Sequence, residues 1–424
     1  MTNVTDGPCP SALIAAQAVE EERLWRRHIE MARHGGTPAG GVNRPAFSEA
    51  DAQARRRLVD WAQDIGLTAS SDAIGNLFLR REGSDGDLAP VMTGSHLDSQ
   101  PTGGKFDGTY GVLAGLEALE AIARSGIETR HPLEVVVWVN EEGSRFQPGT
   151  MGSGIFTGEM DLAAVLKVVD ATGIAVADAL PHYLAATPGL PQHSSAYPPA
   201  AFLEAHIEQG PLLEAEGHSV GVVTHVQGLR WFAIEVTGEA AHAGTTPEAL
   251  RRDAFMAAHD LVAALNERLH DPEDVLRFTI GRFEVSPGSP NTIPAKVFFT
   301  IDLRHPDNRV LTRLTKQIEE ICAVGPRGCS VSCATTENQP ATVFHDRVTA
   351  CLGRWAAALQ LAHSSMVSGA GHDAMHLARV CPSGMIFVPC QAGISHNEAE
   401  SATAADLAAG ARLLAAALVD LAGG

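Results

Sequence analysis

The side chains best suited to chemistry begin in residues 94–112, GSHLDSQPTGGKFDGTYGV. Here His96 and Asp98 form a His-x-Asp pair after a short apolar run, and Asp107 lies in a glycine-rich loop before an apolar helical pattern. Imidazole and carboxylate groups held by glycines at a strand end are typical ligands of a catalytic metal site. Taken alone, the stretch fits a polar loop between a strand and a helix equally well, so the remaining chain has to decide.

Three further clusters of imidazole and carboxylate groups each follow an apolar, strand-like run: Glu141 with Glu142, His206, and His396. Together with the first stretch they supply three histidines and four carboxylates. Three histidines with two of the carboxylates suit two adjacent divalent ions, with one carboxylate bridging them. One more carboxylate must stay off the metals to take a proton from water. The adjacent Glu141 and Glu142 offer one residue for each task.

Helical and strand patterns alternate along the first half of the chain. Periodicity predicts helices over residues 11–34, 48–65 and 108–125, and strands over 74–80, 90–94, 133–139 and 202–207. The run 133–139 is almost continuously β-branched, as in strands that are buried on both faces. Polar clusters at successive strand ends predict an α/β sheet with its functional groups at the carboxyl edge.

The pattern changes between about residues 221 and 340. Strands are predicted at 229–237, 276–283, 297–303 and near 330, and helices after Pro247 and over 307–323. The order β-β-α-β-β-α-β predicts a two-layer sandwich inserted into the larger domain. Beyond it the α/β pattern returns, with a helix at 345–361, a strand at 385–388 and a closing helix from about 402.

The composition excludes several classes of protein. The chain has 424 residues, which predicts two domains, and a formal net charge of −19, which argues against a nucleic-acid partner. No apolar stretch is long enough for a membrane helix, and the N-terminal MTNVTDGPCP lacks the pattern of a signal peptide. Seven cysteines without a Cys-x-x-Cys pair predict reduced thiols in a cytoplasmic protein.

Ten short motifs, in order and spread over nearly the whole chain, resemble those of one enzyme family. They are GVNR (41–44), GSHLDSQPTGGKFDG (94–108), NEEGSRF (140–146), GSG (152–154), EAHIEQGP (204–211), AHAGTTP (241–247), PNTIP (290–294), DLRH (302–305), SGAGHDA (368–374) and SHNEAE (395–400). The chain resembles the M20 metallopeptidase superfamily, in the hydantoinase/carbamoylase branch. That branch contains N-carbamoyl-L-amino-acid hydrolases, allantoate amidohydrolases, ureidoglycolate-type amidohydrolases and β-ureidopropionases.

The resemblance implies a binuclear metal site and a general base. The implied metal ligands are His96, Asp107, Glu142, His206 and His396. Asp107 would bridge two divalent ions, with zinc, manganese, cobalt and nickel all suited to such a ligand set. Asp98 would orient His96, and Glu141 would deprotonate the attacking water. The family also places a cis peptide bond after the bridging aspartate, here between Asp107 and Gly108.

The resemblance further implies how substrate is bound. The implied substrate-binding residues are Gln209, Asn291, Arg304, Gly371 and His372. Arg304 would clamp a substrate carboxylate, and His242 would reach the partner subunit's site and stabilise the oxyanion. The implied fold is an α/β di-metal catalytic domain with a mixed, mostly parallel sheet over residues 1–220 and 341–424. A ferredoxin-like α+β lid and dimerisation domain would occupy residues 221–340.

The expected activity is that of a metal-dependent amidohydrolase, a homodimer that cleaves a linear C–N bond in a small carbamoyl or ureido substrate bearing a carboxylate. An N-acyl-amino-acid deacylase or dipeptidase of the same superfamily is the alternative, which the NEEGSRF, HIEQGP and PNTIP motifs oppose. An inactive metal-binding scaffold is a third possibility, which the presence of every ligand and of the base opposes. The motifs leave the individual substrate and the metal open.

Overall fold

The computed structural model of the protein describes residues 9–193 and 198–424. The N-terminal segment used above against a signal peptide lies mostly outside these residues. The chain divides into a larger unit, Met1–Thr224 with Val343–Gly424, and an inserted unit, His225–Thr342. These divisions fall close to the predicted boundaries at 221 and 340.

The helices and strands follow each other in an order that matches the alternation read from the sequence. The α-helices are α1 (Pro10–Gln17), α2 (Glu21–Met31), α3 (Glu49–Asp64), α4 (Thr109–Arg124), α5 (Met151–Phe156), α6 (Leu162–Val165), α7 (Val176–Ala185), α8 (Leu212–Glu216), α9 (Ala254–Arg268), α10 (Asn308–Ala323), α11 (Asp346–Ala358), α12 (Ala374–Leu377) and α13 (Ala404–Leu421). The strands are β1 (Thr68–Ser71), β2 (Leu77–Arg81), β3 (Val91–His96), β4 (Leu133–Trp138), β5 (Ala201–Ile207), β6 (Val220–Val226), β7 (Gly228–Thr237), β8 (Ala241–His242), β9 (Arg277–Thr279), β10 (Phe283–Ser286), β11 (Thr292–Ile293), β12 (Lys296–His305), β13 (Ser330–Gln339), β14 (Thr342–Val343), β15 (His363–Ser368) and β16 (Ser383–Val388).

The larger unit is built on a nine-stranded sheet in the order β1-β2-β4-β3-β5-β16-β6-β14, with β15 paired to β6. The four central strands β4, β3, β5 and β16 run parallel to one another. Their neighbours β2 and β6 are antiparallel to them. The mixed, mainly parallel sheet confirms the predicted α/β class, and it brings four strand ends to one edge.

The central strands are buried along their whole length, which explains their sequences. All residues of β3, β4, β5 and β16 are buried. Runs such as LEVVVW in β4 have no polar face because helices cover both sides of the sheet. Helices α4 and α13 contribute Leu116, Leu119, Leu414 and Leu418 to this core, each of them fully buried. The strand ends that carry the candidate site are therefore fixed by a rigid core.

The predicted single helix over residues 11–34 is wrong, because α1 and α2 are separate helices. Glu20 between them has an extended backbone, with φ −102° and ψ 109°. Its main-chain N–H donates to Oε1 of the buried Glu117 at 2.8 Å, a partner in α4. In one continuous helix, the main-chain N–H of Glu20 would donate to a carbonyl of the same helix. Its hydrogen bond to Glu117 in α4 therefore favours the break between α1 and α2.

The chain leaves and re-enters the larger unit at neighbouring strands. It departs after Thr224 in β6 and returns at Val343 in β14, which lies next to β6 in the sheet. The main-chain N–H of Phe344 donates to the carbonyl of Thr224 at 2.9 Å. The inserted unit is thus a long excursion between two adjacent strands.

The inserted unit is an α+β sandwich. Its sheet has the order β10-β12-β7-β13, with β9 also paired to β12, and every pairing is antiparallel. On β12, Val297, Phe299, Ile301 and Leu303 alternate inward and are buried against α9 and α10. With β9 and β10 in the position of one strand, this is the ferredoxin-like order 4-1-3-2, as expected for the inserted domain.

Two boundaries in the inserted unit differ from the prediction. Directly after Pro247 the chain forms only a 3₁₀ turn, Glu248–Leu250. The expected α-helix begins at Ala254, where the Asp253 carboxylate accepts from the N–H groups of Phe255 and Met256 and caps it. The strand expected over 276–283 is split into β9 and β10, which pair with different parts of β12 on either side of Gly281. No helix in the described part of the chain combines the length and apolarity needed to cross a bilayer.

Candidate metal centre

The carboxyl edge of the central sheet gathers the residues expected to bind metal. His96 is the last residue of β3, and His206 lies next to the end of β5. Glu141 and Glu142 follow the end of β4, and His396 lies in the loop after β16. Because these strands are adjacent and parallel, residues far apart in the sequence meet here.

One group of possible ligands consists of His96, Asp107 and His206, all of them buried. One candidate ligand atom from each lies within 4.8 Å of the other two. Oδ1 of Asp107 lies 3.2 Å from Nε2 of His206 and 3.8 Å from Nε2 of His96. The group has the size and donor types of a site for one divalent ion.

The second group consists of Asp107, Glu142 and His396. Oδ2 of Asp107 lies 3.2 Å from Nε2 of His396, and Oε2 of Glu142 lies 3.5 Å from the same nitrogen. Asp107 therefore turns one carboxylate oxygen to each group. A carboxylate that bridges two ions has this arrangement, so the geometry is compatible with the bridging role expected for Asp107.

The hydrogen bonds of the ring nitrogens show that the first group fits a cation. Nδ1 of His96 contacts the carbonyl of Asp98 at 2.9 Å, and Nδ1 of His206 contacts the carbonyl of Ile207 at 2.9 Å. A carbonyl can only accept, so each Nδ1 carries the proton and each Nε2 faces the site. For His96 that lone pair lies 3.4 Å from Oε2 of Glu141 and near Asp107. Acceptors facing acceptors in a buried site are satisfied by a positive ion.

The pKa values follow from the same geometry. Burial lowers the pKa of His96 to about 4, so this ring is neutral at neutral pH. Burial also lowers the pKa of His206, but the hydrogen bond and charge of Asp107 outweigh it and raise the pKa to about 9. The hydrogen bond with Asp107 likewise raises the pKa of His396 to about 9. A proton that either ring takes up on Nε2 has to leave before that nitrogen can bind a cation.

Asp98 contacts a candidate metal ligand and the turn that carries Glu141 and Glu142. Its carbonyl bonds His96, whereas its carboxylate Oδ1 lies 3.8 Å from the same ring nitrogen, beyond hydrogen-bond distance. The carboxylate instead accepts from the main-chain N–H groups of Glu141 and Glu142, each at 3.2 Å. The predicted orienting contact thus runs through the main chain, and the side chain fixes the turn that carries the two glutamates.

Glu141 lies beside the first group and belongs to neither set of possible ligands. Burial raises the pKa of its carboxyl group well above the usual value, and the neighbouring charge of Asp373 raises it further. A carboxylate next to a metal site that binds protons more tightly than usual is suited to take a proton from water and return it.

Two supporting residues had not been singled out from the sequence. Gln100 holds Glu142, because its main-chain N–H donates to Oε1 at 3.2 Å and its Nε2 to Oε2 at 2.8 Å. Arg44 is fully buried and donates to the carbonyl of Leu97 at 2.6 Å and to Oγ1 of Thr109 at 2.9 Å. Gln100 lies in the GSHLDSQ motif and Arg44 in the GVNR motif. Their positions in these motifs could have identified them from the sequence.

The predicted cis bond between Asp107 and Gly108 is wrong. In the described residues the cis bonds are Gln147–Pro148 and Ser286–Pro287. The chain reverses instead through a γ-turn at Gly108, with φ 61° and ψ −47°, in which the N–H of Thr109 donates to the carbonyl of Asp107 at 2.6 Å. A Cβ at Gly108 would lie 2.2 Å from Nε2 of His96, so only glycine fits.

Two of the three expected substrate-binding residues of the larger unit, Gln209 and His372, contact the candidate ligands. Nε2 of Gln209 donates to Oδ2 of Asp107 at 3.1 Å. The ring of His372 packs edge-on against His206, with centroids 4.6 Å apart, and its Nε2 lies 2.9 Å from Oγ of Ser368. His372 is buried, whereas the adjacent Gly371 is exposed. Gln209 and His372 therefore support the ligands directly.

The remaining expected residues lie in the inserted unit. His242 in β8 pairs with Thr292 in β11, next to Asn291, and both His242 and Asn291 are exposed. Arg304 lies on β12, where its Nε and Nη2 bond the carboxylate of Asp302. The pairing of β8 with β11 thus brings His242 and Asn291 close together, whereas Arg304 lies on another strand.

Comparison with known proteins places these features in a family. The model of peptidase family M20/M25/M40 matches residues 92–420, most of the chain. The chain belongs to the M20 family. An N-carbamoyl-L-amino-acid amidohydrolase of Rhizobium meliloti is 40% identical over 410 residues, covering 95% of this chain and 97% of that protein. A ureidoglycolate hydrolase of Oryza sativa subsp. japonica is 35% identical over 95% of this chain and 85% of its own length.

Solved structures give the same family assignment. The crystal structure of a hydantoinase/carbamoylase family amidase from Burkholderia multivorans is 44% identical to this M20 chain, with a TM-score of 0.88. The match covers 96% of this chain and 98% of that one. The expected membership of the hydantoinase/carbamoylase branch is confirmed.

Proposed function

We propose that this protein hydrolyses a linear C–N bond in a carbamoyl or ureido group of a small substrate that bears a carboxylate. The observation that carries the proposal is the division of Asp107 between two ligand groups, with Glu141 beside them but outside both. The names of the relatives, N-carbamoyl-L-amino-acid amidohydrolase and ureidoglycolate hydrolase, support this substrate class.

In this proposal two divalent ions bind per subunit. His96 and His206 would hold one ion, Glu142 and His396 the other, and Asp107 would serve both. Zinc, manganese, cobalt and nickel all suit imidazole and carboxylate ligands. Such ions, when bound, lower the pKa of water and polarise a carbonyl oxygen.

The protein's own groups would perform the proton transfers. Glu141 takes the proton of the attacking water as oxygen adds to the carbonyl carbon, and it returns that proton to the leaving nitrogen as the C–N bond breaks. Asp98 holds the main chain of Glu141 in place through the transfer. The rigid strand ends keep the acceptor and the ligands in fixed relative positions.

Substrate recognition would fall mainly to the inserted unit. Arg304 would bind the substrate carboxylate and Asn291 its polar groups, assisted by Gln209, Gly371 and His372. His242 would stabilise the oxyanion in the partner subunit's site of a homodimer. The inserted unit would then serve as lid and dimerisation surface. We place the protein in the cytoplasm, consistent with seven cysteines that are all free.

A substrate panel with a metal analysis tests the proposal. The purified protein is stripped with a chelator, reloaded with Zn²⁺, Mn²⁺, Co²⁺ or Ni²⁺, and assayed on N-carbamoyl-L-amino acids, allantoate, ureidoglycolate, N-acetyl amino acids and dipeptides. We expect two ions per subunit and turnover of at least one carbamoyl or ureido substrate, with loss of activity on stripping. Turnover of only the acetyl or dipeptide substrates would establish a deacylase or dipeptidase, and metal binding without any turnover would establish a scaffold.

A further inference from the structure

A buried glutamate lies behind the bridging aspartate. Glu400 is only 2% exposed, and it accepts two main-chain hydrogen bonds at Oε1. The donors are the N–H groups of Phe106 at 2.9 Å and of Asp107 at 3.1 Å. Glu400 thus holds the main chain at the residue whose side chain serves both ligand groups, although 293 positions separate it from Asp107 in the sequence.

The second carboxylate oxygen of Glu400 reaches the side chain of Asp107 through two intermediates. Oγ of Ser395 lies 3.1 Å from Oε2 of Glu400 and 3.4 Å from Oδ2 of Asp107. Nε2 of Gln209 donates to that same Oγ at 3.1 Å and to Oδ2 of Asp107 at 3.1 Å. Ser395 has one proton, and the shorter contact directs it to Glu400. The amide protons of Gln209 are then shared between Ser395 and Asp107, which closes the network.

The loop before Asp107 leaves room for this glutamate. A Cβ at Gly104 would lie 2.0 Å from both Cδ and Oε1 of Glu400. The carboxylate therefore packs directly on the main chain of Gly104, and any side chain there would displace it. This close approach explains physically why the second glycine of the PTGGKFDG segment, Gly104, has no side chain.

We propose that Glu400 is a positioning residue, which holds Asp107 so that its two carboxylate oxygens face the two ligand groups. The inference rests on the metal-binding part of the proposed function and adds to it a residue outside both ligand groups. Glu400 acts on the main chain of Asp107 directly and on its side chain through Ser395 and Gln209. Without it, the buried N–H groups of Phe106 and Asp107 lose their acceptor, and the loop has to shift to find another.

Titration of the metal-free protein with Co²⁺ alone tests this inference, followed by calorimetry and by the visible absorption of the bound ion. We expect Glu400→Ala to weaken Co²⁺ binding by about 10- to 100-fold, the usual effect of removing a group that orients a ligand, and to alter the absorption spectrum. Glu400→Gln keeps an oxygen for the two N–H groups and should recover most of the affinity. Glu398→Ala is the matched control, because Glu398 lies in the same loop but accepts a hydrogen bond from Thr37, which lies outside this network. This variant should bind Co²⁺ as the wild type does.

A second pair of variants removes dependence on the Glu400→Ala protein folding well. Gly104→Ala should displace Glu400 and weaken Co²⁺ binding, whereas Gly353→Ala has open space around its Cβ and should not. Wild-type affinity and spectrum in both Glu400→Ala and Gly104→Ala, or in Gly104→Ala if the former does not fold, would overturn the inference. These measurements use no substrate. A protein that fails to hydrolyse carbamoyl or ureido compounds would refute the proposed function while leaving the affinity series interpretable.

Discussion

The guanidinium group of Arg304 meets the carboxylate of Asp302 in a two-point contact on one strand. Nε of Arg304 lies 3.0 Å from Oδ1, and Nη2 lies 2.9 Å from Oδ2. The residues are two apart on β12, so both side chains project from the same face of the sheet. The pair is about one-third exposed, so its main effect is to fix the plane of the guanidinium group rather than to stabilise the fold.

If Arg304 binds the substrate carboxylate, replacing it by lysine should affect binding selectively. Arg304→Lys keeps the charge but loses the planar fork, and we expect KM to rise by about 10- to 100-fold with a smaller change in kcat. Steady-state kinetics on the best carbamoyl substrate and on its analogue with the carboxylate converted to an amide measure this. Arg309→Lys, at an exposed pair with Asp307, is the control. Equal losses on both substrates would contradict the assignment.

Glu141 and Glu142 should separate catalysis from metal binding. Glu141→Gln leaves both ligand groups intact but removes the proton acceptor, so we expect kcat to fall by about 10²- to 10⁴-fold at full metal content. If Glu142 is a ligand, Glu142→Gln replaces its carboxylate, and the second ion should be lost on dialysis. Elemental analysis beside the kinetics checks both variants. Near wild-type turnover in metal-loaded Glu141→Gln would refute its role as the base.

A side chain at Gly108 should damage the candidate metal site. Gly108→Ala places a Cβ 2.2 Å from Nε2 of His96, while Gly126→Ala has a similar positive φ and nothing within 4 Å of its Cβ. Both variants should lose about 1 kcal/mol of stability from the positive φ, and Gly108→Ala should lose more because its Cβ overlaps the buried His96 ring. Only Gly108→Ala should also weaken Co²⁺ binding, by about 100-fold or more. Calorimetry and denaturant unfolding of the metal-free proteins test this, and equal Co²⁺ affinities would show that the ring does not have to move.

His28 predicts how the stability of the larger unit depends on pH. The ring is fully buried, neither nitrogen has a hydrogen-bond partner among the described residues, and burial lowers its pKa from 6.5 to about 3. Below pH 6.5 the unfolded chain takes up a proton that the folded chain cannot. Stability contributed by the neutral ring is therefore complete above pH 6.5 and falls by about 1.4 kcal/mol per pH unit toward pH 3.

The variant His28→Leu should remove this dependence. We expect the free energy of unfolding in urea, measured between pH 7 and pH 5, to change less steeply with pH in this variant. The difference should correspond to uptake of about one proton fewer on unfolding. His259→Asn, at an exposed histidine, is the control. An unchanged slope in His28→Leu would show that His28 is accommodated differently on protonation.

The sequence predicted those features that depend on local pattern. Buried strands were recognisable from their apolar runs, and the ends of β3, β4 and β5 placed His96, Glu142 and His206 at one edge. What the sequence could not predict depends on partners distant along the chain. The break between α1 and α2 comes from Glu117, 97 residues from Glu20.

Details of the site escaped prediction for a similar reason. The turn at Gly108 is set by how closely His96 approaches it, and the orientation of Asp98 is set by the N–H groups of the Glu141 turn. Residue types and spacing identify candidate ligands, but they do not determine whether a carboxylate or a carbonyl of the same residue makes a contact.

The hydrogen bond from Phe344 to Thr224 joins the two chain ends at which the inserted unit begins and ends, so segments can be exchanged at this point. The two ends of the inserted unit meet at adjacent strands, and the entropy of closing the chain depends only weakly on the length between them. Evolution can therefore lengthen, trim or exchange the intervening segment while the sheet keeps its register. Chimeras joined at this point would combine the inserted unit of one relative with the larger unit of another.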